Sequence, residues 1–140
     1  MNPPIDPSVP RIIRSAEVAG EQIKTPGFQR TVKKLIDTPH STVHVGIFEP
    51  GQAGSMHIHR RSEEVTYVIE GQAEVKVGEQ RLSVGAGDLF YGPPNVPHQF
   101  CNVGDDRLVL VAIYSPPDDL PLVSNLGHDS AVEPQSGESA

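Results

Sequence analysis

Turn signals cut the stretch from Thr42 to Tyr114 into short pieces: Glu49-Pro50-Gly51, Glu70-Gly71, Gly78-Glu79, Gly85-Ala86-Gly87, Pro93-Pro94-Asn95 and Gly104-Asp105. Between them lie runs rich in Val, Ile and Thr, too short for a helix and suited to a pleated strand. Fourteen prolines and thirteen glycines rule out a helical bundle and leave an all-β chain. The spacing predicts strands at Gln29–Ile36, Thr42–Phe48, Ser55–His59, Val65–Ile69, Ala73–Val77, Gln80–Val84, Asp88–Tyr91, His98–Asn102 and Arg107–Tyr114. About nine such strands without intervening helices point to an antiparallel closed sheet or jelly roll, with sequential strands folding back as hairpins. Ser15-Ala16-Glu17-Val18 reads as a short turn of helix.

At 140 residues the chain makes a single domain. The expected organisation is a Pro-rich extended arm and irregular segment over 1–29, a barrel over 30–115, and an acidic, Pro- and Ser-rich tail over 116–140. The arm is either loose or laid against a partner subunit, which implies a homodimer. Of the formal charge of −7, five acidic residues sit in the tail, where Lys and Arg are absent; residues 1–114 carry 11 basic against 13 acidic side chains. Without a basic stripe, nucleic-acid binding is excluded as a function class. Cys101 is the single cysteine, so the chain has no internal disulfide, and no run approaches the length of a membrane helix. These features lead us to expect a cytoplasmic protein.

His57 and His59 are two apart, so on an extended chain both face one side, with Cα atoms roughly 6.5 Å apart, and can reach one ion. Arg60-Arg61-Ser62-Glu63 has the length of a hairpin connection, which would set Glu64 on a neighbouring strand beside them; Glu63 competes for that role. His98 supplies a further imidazole. A nitrogen-rich set without thiolate suits Fe, Mn or Ni, then Zn or Cu, and argues against Ca²⁺ and Mg²⁺. Three imidazoles and a carboxylate leave an octahedral ion with open positions, which favours catalysis over a purely structural role.

These residues fall into two motifs: Gly51, His57-x-His59, Glu64 and Gly71, then Gly87, Pro93, His98 and Asn102, with residues 72–86 between them. The pattern resembles the cupin superfamily, in particular its small single-domain members. It departs from the family at Asn95, where glycine is usual; Asn is the non-glycine residue that best tolerates positive φ. The resemblance implies a conical β-barrel of jelly-roll type and a metal bound inside by His57, His59, Glu64 and His98. It selects Glu64 over Glu63, because the family leaves six residues between its glutamate and the closing Gly71.

Strand alternation adds Phe100 and Asn102 to the face of His98 as pocket residues, with barrel packing and backbone anchoring as their plainer roles. His44 lines the barrel mouth, carries a proton or is structural. Tyr67, Phe90 and Tyr91 are core or interface aromatics; a tyrosine phenol near the metal could donate a proton, and Tyr67 joins the pocket set. The resemblance implies an enzyme of a small-molecule substrate, first of dioxygenase type with Glu64 able to dissociate and act as base. The alternatives are a non-redox isomerase, lyase or polyketide cyclase, and a sugar- or small-molecule-binding protein without turnover.

Overall fold

Inward-facing residues alternate with outward ones along most of the chain, and this period of two builds two facing sheets. A computed structural model describes residues 5–25 and 28–117. In chain order the strands are β1 (Glu21–Thr25), β2 (Phe28–Asp37), β3 (Thr42–Phe48), β4 (Glu63–Glu70), β5 (Gln72–Val77), β6 (Gln80–Gly85), β7 (Leu89–Gly92), β8 (His98–Asn102) and β9 (Leu108–Ser115), after a 3-10 turn at Ser15–Glu17. One sheet runs β1-β2-β3-β9-β4-β7 and the other β6-β5-β8, with every pairing antiparallel. This is the expected all-β jelly roll.

Three local expectations change. The regular sheet begins at Glu21, inside the stretch expected to be irregular; Ile23 is buried there against Val32 of β2. Residues 55–59 are not a strand: the backbone follows β8 through isolated bridges, Ala53 to Cys101 and His57 to His98. Finally, Arg60–Glu63 does not close a hairpin. β4 pairs with β7 and β9 in the larger sheet, whereas the histidine segment lies on β8 in the smaller one, so the connection crosses from one sheet to the other. The expected tail falls outside the described residues from position 118 onward.

The apolar core fills one part of the space between the sheets. Phe48, Val68, Ala73, Val75, Phe90, Phe100, Leu108, Leu110, Ala112 and Tyr114 form one buried cluster. At about 1.5–3 kcal/mol for each large apolar side chain removed from water, these residues carry the fold and leave the adjoining region free to be polar. Gly71 has φ of 89°, and a Cβ there would stand 2.4 Å from the Arg107 carbonyl oxygen, so the β4–β5 turn requires glycine. Asn95 adopts φ of 68° and keeps the turn before β8, as its side chain allows.

Candidate metal centre

His57, His59, Glu64 and His98 converge between the sheets, with one donor atom from each lying within 4.8 Å of all the others. β4 turns Glu64, Thr66 and Val68 inward. β8 turns His98 inward, and the backbone of His57 exchanges two 3.0 Å hydrogen bonds with that of His98, setting the rings 4.5 Å apart. A hydrogen bond from the Asn95 amide to the His59 carbonyl, 2.8 Å, fixes the other end of the histidine segment. Gly92 pairs directly with Glu64; a Cβ at Gly92 would lie 2.9 Å from the Phe90 ring and 3.4 Å from the His98 ring. Glycine at this position lets the carboxylate and imidazole meet.

Glu64 Oε1 lies 2.6 Å from His98 Nε2, 3.3 Å from His59 Nε2 and 3.7 Å from His57 Nε2. The His57 Nδ1 atom is 2.9 Å from the Ser55 carbonyl and His98 Nδ1 is 3.1 Å from the Val96 carbonyl. A carbonyl only accepts, so each Nδ1 carries the proton and each Nε2 aims at the centre. The Thr66 hydroxyl donates a 2.5 Å hydrogen bond to Glu64 Oε2, leaving Oε1 to face the imidazoles.

Burial would raise the Glu64 pKa; the His98 charge and the three imidazoles turned towards the carboxylate outweigh it and hold the carboxyl well below the usual range. Burial pushes His57 down to about 4, helped by the charge of His98. The carboxylate is thus ionised and His57 neutral near pH 7, the protonation states a metal ligand needs. His57 Nε2 is buried without a hydrogen-bond partner. Around an ion with bonds of about 2.1 Å, neighbouring donors stand roughly 3–4 Å apart, so the four residues fit one first-row divalent cation after small side-chain adjustments.

Beyond these four, the structure sorts the other expected site residues. Phe100 lies in the core, edge-on to Phe90 at 5.4 Å, with its ring 6.5 Å from His98. Asn102 anchors backbone: its amide nitrogen donates to the carbonyls of Phe48 and Asp106, and its oxygen accepts from the Gly104 amide. Tyr67 is not at the site; with Glu64, Thr66 and Val68 inward it must face out, and it is 43% exposed. His44 is buried on β3, 5.3 Å from the Tyr114 ring, and burial with the nearby Arg30 charge pushes its pKa down to about 3. Glu63 faces outward and accepts a 2.7 Å hydrogen bond from the Tyr91 hydroxyl.

Two residues beside the cluster carry no motif in the sequence. Tyr114 is the cross-strand partner of Glu64, with its ring 4.4 Å from that of His59. Arg30 lies on β2 within electrostatic reach of Tyr114 and Glu64. Both carry a weaker signal: Tyr114 ends the inward series Leu108, Leu110, Ala112, and Arg30 shares the parity of buried Val32.

Residues 44–114 match the family described as the Cupin domain. The chain belongs to the cupin family. It is 30% identical over 132 residues to the polyketide synthase CurC of Streptomyces cyaneus, a match covering 93% of this chain and 83% of that one. It is 33% identical over 67 residues to protein MJ1618 of Methanocaldococcus jannaschii, covering 48% of this cupin and 54% of the relative, so this chain spans about half the length of that protein. Among solved structures, the polyketide cyclase RemF of Streptomyces resistomycificus superposes with a TM-score of 0.70 at 20% identity, over 80% of this chain and 83% of that one, a likeness of fold.

Proposed function

We propose that this cupin is a metal-dependent enzyme that closes or rearranges a small polycarbonyl substrate of polyketide type without net oxidation. The observation that carries the reading is the buried set of three imidazoles and one carboxylate with the Tyr114 ring 4.4 Å from His59. The similarity to CurC over 93% of the chain supports the substrate class. A divalent transition ion held by His57, His59, Glu64 and His98 would polarise a substrate carbonyl and acidify the adjacent C–H. Fe, Mn or Ni suit the donors first, then Zn or Cu.

The chain's own residues supply orientation and protons. Thr66 holds Glu64 through Oε2, and Glu64 would serve as the base that accepts a proton from substrate carbon. To Tyr114, whose ring lies against His59, we assign the return of a proton to a developing alkoxide. His44, neutral because of its burial, forms a polar wall that adds no charge. Phe90, 5.2 Å from His98, excludes water on the core side.

The dioxygenase expectation uses the same ligands and separates from this reading by oxygen demand. Metal-reconstituted protein should convert a linear poly-β-ketone to a cyclised product at the same rate under nitrogen and in air. Product formation that stops under nitrogen, with matching oxygen uptake in air, would establish the oxidative alternative instead. For assembly we propose a homodimer: Tyr67, Ile69, Leu89, Tyr91 and Ile113 are exposed on one outer face of β4, β7 and β9, an apolar patch that a second copy would cover.

A further inference from the structure

Arg30 stands among polar groups without an anion of its own. Its parity on β2 matches that of Val32, and its guanidinium lies against Gly54, where a Cβ would come within 3.1 Å of Nη1 and 3.6 Å of Cζ. Glycine leaves the groove in which the guanidinium rests. Tyr114 and Glu64 both bear electrostatically on it, and it in turn bears on His44. Among the described residues, no carboxylate or carbonyl takes a hydrogen bond or ion pair from it. The Glu64 carboxylate is already engaged by three histidines and Thr66.

A guanidinium cannot shed its charge and presents donors in a flat fork that matches an oxyanion. A half-buried one without a partner has lost hydration with no return. The local charge balance points the same way. A divalent ion with Glu64 leaves +1, and Arg30 brings the region to +2, which a neutral substrate would leave uncompensated.

We propose that Arg30 sets the substrate specificity of this site, and that the substrate carries a carboxylate or a comparably acidic enol. Arg30 engages that oxyanion while a neighbouring oxygen of the same molecule faces His57, His59, Glu64 and His98. The second half rests on the metal-enzyme reading above; the first does not.

Calorimetric titration of nickel-loaded protein with salicylate and with its neutral amide, salicylamide, tests this, with nickel content measured on the same samples. The wild-type protein should prefer salicylate. Arg30→Gln should weaken salicylate about 10- to 100-fold and salicylamide less than about 2-fold, with nickel content unchanged. Arg30→Lys, which keeps the charge but loses the fork, should fall between. Equal weakening of both compounds, or an unaltered salicylate affinity, overturns the proposal by making Arg30 a purely structural cation. Should the protein hold no nickel, while Arg30→Gln still abolishes salicylate binding, the anion site stands and the metal reading falls. Nickel retained with no effect of Arg30→Gln on salicylate overturns the anion site and leaves the metal reading standing.

Discussion

Glu64 Oε1 approaches His98 Nε2 to 2.6 Å, a separation that two lone pairs could not tolerate without a positive charge between them. A proton or a metal ion supplies that charge, and the remaining imidazoles at 3.3 and 3.7 Å make the ion the better occupant. His59→Ala and Glu64→Gln should therefore each lower metal affinity at least 100-fold, whereas His40→Ala, on an exposed turn, should leave it unchanged. Elemental analysis after equilibrium dialysis reads the result, and equal retention in all three would remove the metal centre.

Thr66 acts through Glu64. Thr66→Val keeps the shape and deletes only the donor to Oε2, so the carboxylate should rotate more freely and metal affinity fall about 10- to 100-fold with the fold intact. Circular dichroism with metal titration checks both halves.

Tyr114 should matter for rate and not for loading. Tyr114→Phe removes the hydroxyl and keeps the ring against His59, so kcat on a cyclisable substrate should drop about 100-fold or more while metal stoichiometry stays the same. An unchanged kcat would take Tyr114 out of the chemistry.

His44 gives the metal-free protein an acid sensitivity. Its folded pKa, about 3, lies below the ordinary 6.5, so the unfolded chain binds the extra proton as pH falls through 6.5, and stability drops continuously towards pH 3. The contribution approaches about 1.4 kcal/mol per pH unit. Urea unfolding of metal-free protein at pH 7.5, 6 and 5 should show this slope, and His44→Gln should flatten it by about that amount. His57, lowered to about 4, adds in the same direction and persists in the variant.

The outer face of β4 and β7 offers a test of assembly. Leu89→Glu places a charge within the apolar patch, opposite Tyr67, and should convert a dimer to a monomer in sedimentation velocity. A wild-type protein that already sediments as a monomer refutes the dimer.

Strand content is readable because alternation and turn chemistry are local. Thr42–Phe48 and His98–Asn102 fall where the pattern sets them, and Asn95 takes the positive φ its side chain tolerates. β1 is hard to see in the sequence because Glu21–Thr25 shows one buried apolar residue, Ile23, in a polar run. Tyr67 belongs outside the pocket on parity alone, since it stands an odd number of residues from Glu64 on the same strand.

The sequence by itself determined the residue types of the centre and the all-β class, since ligand chemistry and period-two patterning reside in the order of side chains. Which sheet each ligand stands on was decided by tertiary structure. Residues 60–63 look like a hairpin turn in isolation, yet they cross between sheets, because the partners of β4 are β7 and β9, brought in from further along the chain. That long-range pairing also puts Tyr114 beside the cluster, and the order β2-β3-β9 in the same sheet carries Arg30 within electrostatic reach of it, a proximity that residues so distant in sequence cannot announce.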